Sequence, residues 1–199
     1  MKKVCITGTI GAGKSTVAYL LRRRNFAVFD ADGYSRICLL PTHQAYQALK
    51  EQFPASIFDE NGEVNRKELA KLVFEEEEKR IALNAIIHPY VKEGMLNYFH
   101  KNQEKEIVFA EVPLVFEAGW ENEFDCILVV TCEKETAIKR LMDDRHYTKE
   151  EAIARLSSQQ DPATQIAKAD IVLHNDGTIK ELDHALAKVL QEVKKGKWN

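Results

Sequence analysis

Five short segments of this chain are apolar at almost every position, a pattern typical of strands buried on both faces of a sheet. Segments with helical spacing separate most of them, so we predict an α/β fold with a doubly wound, five-stranded parallel sheet. In such a sheet, ligands bind beyond the carboxyl ends of the strands, so the residues that follow each strand are the candidates for function. The predicted strands occupy residues 4–7, 27–29, 107–111, 126–131 and 171–173.

Two intervals between these strands are longer than a simple crossover requires. Residues 33–105 contain several helical stretches, one of which has a candidate N-cap at Asn65 with Glu68 three positions later. We predict a helical substrate-binding insertion there, within one domain that spans residues 1–199. Residues 141–163 are charged and helical, as is typical of a mobile lid. Extra packing helices are the structural alternative for both intervals.

The turn after the first strand carries the sequence Gly8-Thr-Ile-Gly-Ala-Gly-Lys-Ser15, which matches the phosphate-binding P-loop pattern G-x-x-x-x-G-K-S. Glycines let backbone N–H groups approach phosphate oxygens, and the helix that follows adds its positive end. We expect Lys14 to reach the β- and γ-phosphates and the Ser15 hydroxyl to ligate Mg²⁺. A glycine-rich turn that only caps a helix is the alternative, but it would not require Lys-Ser after the last glycine. The other predicted nucleotide contacts are Gly8, Gly11, Ala12, Gly13 and Thr16.

Two aspartates, Asp30 and Asp32, follow the second predicted strand. An Asp carboxyl is ionised near neutral pH, so Asp32 could accept the proton of a substrate hydroxyl that attacks a γ-phosphoryl group. Asp30 would then support Asp32 or orient toward metal-bound water. A helix N-cap is the alternative for this pair. The segment also matches the GTPase pattern D-x-x-G, but short patterns recur by chance and the chain has no N-K-x-D segment.

Charged residues at other strand ends and in the predicted lid are further candidates. Glu111 ends the third strand and could hold Mg²⁺ through water, opposite Ser15, unless it simply faces solvent. Arginines 140, 145 and 155 lie in or beside the predicted lid, where an arginine could stabilise the charge of phosphoryl transfer. Each could equally be a surface residue, and Arg140 is favoured because it begins the segment.

Two more positions have a structural and a functional interpretation. We expect His88-Pro89 to end one helix and open another, which makes His88 a helix-end residue when it is considered alone. Asn175 follows the last strand, so it belongs either to an adenine-contacting loop or to a plain turn.

Composition narrows the class of protein. The 199 residues are 45% hydrophobic and 30% charged, and the net charge of −3 does not favour a broad nucleic-acid surface. We see no membrane-spanning run and no signal-peptide pattern, and the four cysteines form no C-x-x-C. We therefore predict a cytoplasmic protein with reduced, buried thiols, no membrane contact and no obligate protein partner. The basic tail from Lys194 is expected to fray.

Together these segments make the chain resemble dephospho-coenzyme A kinase over nearly its whole length. The P-loop alone is shared by many nucleotide-binding proteins, whereas the ordered set D-A-D, H-P and V-P-L-x-x-E is much more specific. The segments that carry the resemblance are Ile10-Gly-Ala-Gly-Lys-Ser-Thr16, Phe29-Asp-Ala-Asp32, Asn65-Arg66, Ile87-His-Pro89, Val112-Pro-Leu-Val-Phe-Glu117 and Ala169-Asp-Ile-Val-Leu-His-Asn-Asp-Gly177.

The resemblance implies transfer of the ATP γ-phosphoryl group to the ribose 3′-hydroxyl of dephospho-coenzyme A, the last step of coenzyme A synthesis. It implies ATP as donor, Mg²⁺ as the accompanying ion and dephospho-coenzyme A as the small-molecule partner. It assigns catalysis to Asp32 as base, together with Lys14 and the lid residue Arg140. The acceptor-binding residues that it implies are Asp32, Arg66, His88 and Glu117.

This chain departs from the family pattern in two places that bear on the site. Thr9 stands where the family usually has a glycine, and we expect its side chain to point outward. Asp144-Arg145 stands where the family often has Arg-Asp, so the sequence leaves open which lid arginine contacts the transferred group. Two other functions remain as alternatives: a nucleoside monophosphate kinase, which would need more arginines at the acceptor site, and a nucleotide-dependent switch without an acceptor.

Overall fold

A five-stranded parallel sheet with helices forms the core of the fold, which confirms the predicted fold class. The computed structural model describes residues 1–196. The strand order is β2-β3-β1-β4-β5, so the strand that leads into the P-loop lies in the middle of the sheet. The strands are β1 (Lys2–Thr7), β2 (Ala27–Asp30), β3 (Ile107–Glu111), β4 (Cys126–Thr131) and β5 (Ile171–His174).

Helices occupy most of the chain between the strands, and short 3₁₀ turns occur at Ala55–Ile57 and Glu121–Glu123. None of the described helices has both the length and the apolarity needed to cross a lipid bilayer. The helices are α1 (Lys14–Arg23), α2 (Ala31–Cys38), α3 (Ala45–Gln52), α4 (Arg66–Glu75), α5 (Glu77–Lys101), α6 (Lys134–Arg145), α7 (Lys149–Ser157), α8 (Pro162–Ala167) and α9 (Ile179–Lys195).

The chain divides into two compact units. The first, which we call the sheet unit, consists of Met1–Phe29 and the residues from Asn102 onward. The second, the helical unit, is the continuous segment Asp30–Lys101.

The core of the sheet unit explains why its strands are apolar throughout. Buried residues of β1, β3 and β4 pack with the apolar faces of α1 and α9 in one cluster. In α9 the buried side chains recur at helical spacing, and a capping box between Thr178 and Glu181 fixes the start of the helix. The tail that was expected to fray from Lys194 is helical through Lys195, and its residues 197–199 lie outside the described residues. Representative core residues are Val4, Ile6, Val17, Leu21, Phe109, Leu128, Val130, Leu186 and Leu190.

The helical unit is built around α5, against which α2, α3 and α4 pack. The approach of α2 is close at Gly94, because a Cβ atom there would overlap the ring of Tyr34. Asn65 is the N-cap of α4, and its side chain accepts hydrogen bonds from the N–H groups of Lys67 (3.1 Å) and Glu68 (3.3 Å). The predicted N-cap at Asn65 is therefore confirmed, whereas the reciprocal bond from Glu68 is not formed, because the Asn65 N–H donates to the Ile57 carbonyl (2.8 Å).

The prediction of a helix boundary at His88-Pro89 was wrong. Both residues lie inside α5, which continues without interruption through Pro89. A proline inside a helix lacks one hydrogen bond and costs about 3 kcal/mol or more. Buried contacts on both sides of Pro89, including Ile87 and Val91, offset that cost, so tertiary packing overrides the local signal.

Three helices cover the region of the predicted lid. His146 ends α6 in a left-handed conformation (φ 57°), and Thr148 and Glu151 form a capping box at the start of α7. Asp161 caps α8, which begins with Pro162. These caps define where each helix begins and ends, and whether the region moves as a lid stays a prediction.

Candidate nucleotide-binding site

The P-loop connects β1 to α1, and its backbone requires glycine at two positions that the motif supplies. Gly8 has φ +139°, and a Cβ atom there would overlap the backbone carbonyl of Val130. Gly13 has φ +96° and is the N-cap of α1, and a Cβ atom there would overlap the side-chain amide of Asn175. The loop therefore has both the conformation and the close neighbours that exclude larger residues.

Lys14 is the first residue of α1, and its ammonium group contacts the P-loop itself. The Lys14 Nζ atom donates hydrogen bonds to the carbonyl oxygens of Gly8 (2.8 Å) and Thr9 (2.9 Å). The positive charge therefore lies at the N-terminus of α1, where unpaired N–H groups and the helix dipole also favour an anion.

Three side chains from different parts of the sheet unit hold three consecutive residues of the P-loop. The Ile10 N–H donates to Gln159 Oε1 (2.7 Å). Arg140 Nη1 donates to the Gly11 carbonyl (3.3 Å), and Asn175 Nδ2 donates to the Ala12 carbonyl (2.8 Å). In a trans peptide the C=O and N–H point in opposite directions, so the bond from Asn175 turns the next N–H, that of Gly13, to the other side of the loop.

Ser15 and Glu111 form a hydrogen-bonded pair beside the P-loop. The Ser15 hydroxyl donates to Glu111 Oε1 (2.8 Å), and Glu111 is only 7% exposed at the end of β3, in register with Ile6. The solvent-facing alternative for Glu111 is therefore excluded. A hydroxyl and a carboxylate are oxygen ligands of the kind that Mg²⁺ prefers, and Mg²⁺ completes its shell with water and substrate phosphates. The residues present thus fit a magnesium ion.

The two aspartates after β2 have different roles in local structure. Asp30 is the N-cap of α2, and its carboxylate accepts the N–H of Gly33 (2.8 Å). Asp32 lies in the first turn of α2 and is exposed. The capping interpretation therefore applies to Asp30, and the helix does not need Asp32 as its cap.

The predicted acceptor-binding residues are divided between the two units. Asp32, Arg66 and His88 belong to the helical unit, on α2, α4 and α5, whereas Glu117 lies exposed in the sheet unit after β3. Arg66 is the exposed first residue of α4, and His88 is half-buried on α5. Burial lowers the pKa of His88 from its ordinary value, so its imidazole is neutral at pH 7.

The three candidate arginines lie in different environments. Arg140 on α6 makes the P-loop contact described above. Arg145 is the exposed last residue of the same helix. The guanidinium of Arg155 lies over the ring of Tyr147, 4.6 Å from its centroid. Arg140 therefore contacts the P-loop, and which of the three arginines contacts the transferred group stays a prediction.

Three features of the P-loop and its contacts were not predicted from the sequence. Thr9 is 7% exposed, so its side chain does not point outward as expected. The loop folds back at this point, because the Ala12 N–H donates to the Thr9 carbonyl (3.2 Å). Gln159 was not predicted, since a glutamine that accepts a backbone N–H has no pattern in a single sequence. Asn175 was predicted to belong either to an adenine-contacting loop or to a plain turn, and contact with adenine stays a prediction. Its side chain is 5% exposed and donates to the Ala12 carbonyl, a contact that neither interpretation included.

All four cysteines have free thiols, as the sequence predicts. Burial raises the pKa of Cys126 to about 12 and that of Cys38 to about 11. Cys5 is also buried, whereas Cys132 is half-exposed beside the P-loop, with its Sγ atom 3.8 Å from the Gly11 carbonyl oxygen. Thiols with raised pKa values react slowly at neutral pH, so Cys5, Cys38 and Cys126 have the character of core residues. The prediction of buried thiols is wrong for Cys132, which is only half-buried.

The chain matches one protein family over most of its length. A family model described as dephospho-CoA kinase matches residues 2–181. Proteins named dephospho-CoA kinase include one from Geobacillus kaustophilus, 36% identical over 94% of both chains. Another, from Carboxydothermus hydrogenoformans, is 35% identical over 98% of this chain and 95% of the relative.

Several solved structures are similar to this chain over nearly its whole length. The protein TT1252 from Thermus thermophilus is 34% identical with a TM-score of 0.81, over 96% of this chain and 97% of that one. A dephospho-CoA kinase from Campylobacter jejuni is 28% identical with a TM-score of 0.72, over 98% of each chain. A shikimate kinase from Acinetobacter baumannii, 15% identical with a TM-score of 0.56 over 99% and 95% of the two chains, shares the fold.

Proposed function

Because the chain belongs to the dephospho-CoA kinase family, we propose that it transfers the γ-phosphoryl group of ATP to the ribose 3′-hydroxyl of dephospho-CoA, giving CoA and ADP in the last step of CoA biosynthesis. The observation that carries this proposal is the P-loop with its Lys14 ammonium and its Ser15–Glu111 pair, in a chain that the family model matches over residues 2–181.

The donor half of the reaction takes place at the P-loop. Backbone N–H groups at the start of α1 bind the phosphates of ATP, and Lys14 contacts the β- and γ-phosphates. Ser15 and Glu111 would hold Mg²⁺, which neutralises charge on the β- and γ-phosphates when it is bound. The hydrogen bond between these two side chains supports this assignment, because it holds their oxygens close together at the end of β3.

The transfer step requires a base and a stabilised transition state. Asp32 accepts the proton of the 3′-hydroxyl as its oxygen forms a bond to the γ-phosphorus, and the bond between that phosphorus and the β–γ bridging oxygen breaks. Arg140 offsets the charge on the transferred group and the departing ADP. Two observations support these roles: Asp30 rather than Asp32 caps α2, and Arg140 contacts Gly11.

Binding of the acceptor, dephospho-CoA, is assigned to residues of the insertion at 33–105 and to Glu117. Arg66 is exposed at the start of α4 and is suited to the phosphate groups of the acceptor, since a guanidinium binds phosphate through paired N–H donors. The neutral imidazole of His88 can donate or accept a hydrogen bond without adding charge. Residues 141–163 act as the lid in this proposal, and the free cysteines support a cytoplasmic location.

The test has two arms. In a coupled ADP-release assay, we expect turnover with dephospho-CoA and none with nucleoside monophosphates. Turnover only with monophosphates would contradict the proposed acceptor, and nucleotide binding without any acceptor-dependent turnover would favour a switch.

The second arm is Asp32→Asn, compared with Asp30→Asn. Removing a general base lowers kcat by about 10²- to 10⁴-fold, while the ATP affinity measured by calorimetry stays the same. Asn caps a helix as well as Asp does, so Asp30→Asn keeps its structural role and should retain turnover within a few-fold. Near-normal turnover of Asp32→Asn would show that Asp32 is not the base.

A further inference from the structure

Gln159 lies between α7 and α8, inside the predicted lid region, yet its side chain contacts the P-loop. The Gln159 Oε1 atom accepts the Ile10 N–H at 2.7 Å, across 149 positions of the sequence. Gln159 is half-buried and stands two residues before Asp161, whose carboxylate accepts the Ala163 N–H and caps α8. The segment that carries Gln159 is therefore held at both the P-loop and the start of a helix.

The other end of the lid region is attached to the next residue of the P-loop, Gly11. Arg140, immediately before residues 141–163, donates to the Gly11 carbonyl at 3.3 Å. Gln159 and Arg140 thus connect the two ends of the lid region to adjacent residues of the P-loop. A change in the P-loop when a triphosphate binds must act on both attachments, because the bonded groups, Ile10 N–H and Gly11 C=O, belong to adjacent residues.

We propose that Gln159 is a positioning residue that couples ATP binding at the P-loop to the conformation of the lid region at 141–163. It touches neither the acceptor nor the transferred phosphoryl group in this role. It holds the outer side of the P-loop through Ile10 and transmits nucleotide binding to α7 and α8. The inference rests on the proposed function, since it takes ATP as the ligand of the P-loop.

The test is Gln159→Met, which keeps the length of the side chain but removes the acceptor oxygen. The matched control is Gln160→Met, because Gln160 is the next residue and its Oε1 atom is buried without a hydrogen-bond partner in the described structure. Two quantities are measured for each: the Kd of ATP by calorimetry, and the rate of tryptic cleavage at Arg145, Lys149 and Arg155 with and without a non-hydrolysable ATP analogue. These three sites are exposed.

For Gln159→Met we expect the Kd of ATP to rise about fivefold, the size that one ordinary hydrogen bond contributes. We also expect the protection of the lid by nucleotide to fall by a similar factor, with the KM for dephospho-CoA unchanged. The wild type and Gln160→Met should both keep full protection. If Gln159→Met does not fold, Gln159→Asn, which stays polar but is one methylene shorter, gives the same expected pair of effects.

Three results would overturn the inference: an unchanged Kd with unchanged protection, a raised Kd with full protection, or equal effects in the Gln159 and Gln160 variants. A wild type that does not bind ATP would instead contradict the proposed function. The two failures are therefore distinguishable.

Discussion

Asn175 offers a sharp test of how the P-loop is held in position. It is 5% exposed, its Nδ2 atom donates to the Ala12 carbonyl at 2.8 Å, and its backbone N–H donates to the Thr131 carbonyl at 2.8 Å. Asn175→Leu keeps the size and branching of the side chain but removes the donor. The Ala12 carbonyl would then lose its partner in a buried setting, which costs about 1–3 kcal/mol.

This cost should appear both in stability and in nucleotide binding. For a chain of this size each kcal/mol lowers the Tm by roughly 2–4 °C. Because the Asn175 bond also orients the Gly13 N–H, we expect ATP affinity to fall about tenfold, which corresponds to ~1.4 kcal/mol. Asn175→Asp should be worse than Asn175→Leu, since a carboxylate would repel the Ala12 carbonyl and the triphosphate.

The assays are urea unfolding and calorimetry with ATP. The control is Asp176→Asn: the Asp176 carboxylate accepts the Glu133 N–H at 2.6 Å, and an Asn side chain keeps an acceptor oxygen there. We expect this control to stay within about 0.5 kcal/mol of the wild type. If Asn175→Leu binds ATP and unfolds like the wild type, the Asn175 contact has no energetic role and the reasoning is refuted.

Two further predictions concern the metal and the pH dependence. Glu111→Gln keeps an oxygen for the Ser15 hydroxyl but removes the charge, so we expect the Mg²⁺ concentration for half-maximal activity to rise about 10- to 100-fold. Calorimetry should show unchanged binding of metal-free ATP. An unchanged Mg²⁺ titration would contradict the assignment of Glu111 to the metal site. Burial lowers the pKa of His88, so the unfolded chain binds a proton at His88 more readily than the folded protein does. The contribution of neutral His88 to the free energy of unfolding is therefore present above about pH 6.5 and is lost as the pH falls toward the lower pKa of the folded protein. Urea unfolding at pH 7.5 and 5.5 should therefore show a smaller loss of stability for His88→Gln than for the wild type, and equal losses would count against a buried neutral His88.

The sheet could be predicted because its signal is local. Strands covered on both faces must be apolar at successive positions, so residues 107–111 and 126–131 were predicted with the bounds that the structure has. Strands β1, β2 and β5 extend one or two polar or charged residues beyond their apolar runs, because the ladder hydrogen bonds depend on the backbone and not on apolar side chains.

The sequence-based predictions were wrong or incomplete where residues far apart in the sequence contact each other. Pro89 signals a helix end locally, but the packing of α5 decides otherwise. The carboxylate of Glu111 could be placed at a strand end from the sequence, whereas its burial against Ser15 depends on the pairing of β1 with β3. Gln159 contacts Ile10, 149 positions earlier in the chain, and a single sequence does not show which distant residues are in contact.

Hydrogen bonds within the protein already satisfy four carbonyl oxygens of the P-loop. Its carbonyl oxygens carry partial negative charge and would repel phosphate if they pointed into the loop. Lys14 donates to the carbonyls of Gly8 and Thr9, and the Arg140 and Asn175 side chains donate to those of residues 11 and 12. With these oxygens bonded to donors of the protein, the N–H groups at the start of α1 remain directed toward the anion site. Part of the entropic cost of ordering the loop is therefore met during folding rather than on nucleotide binding.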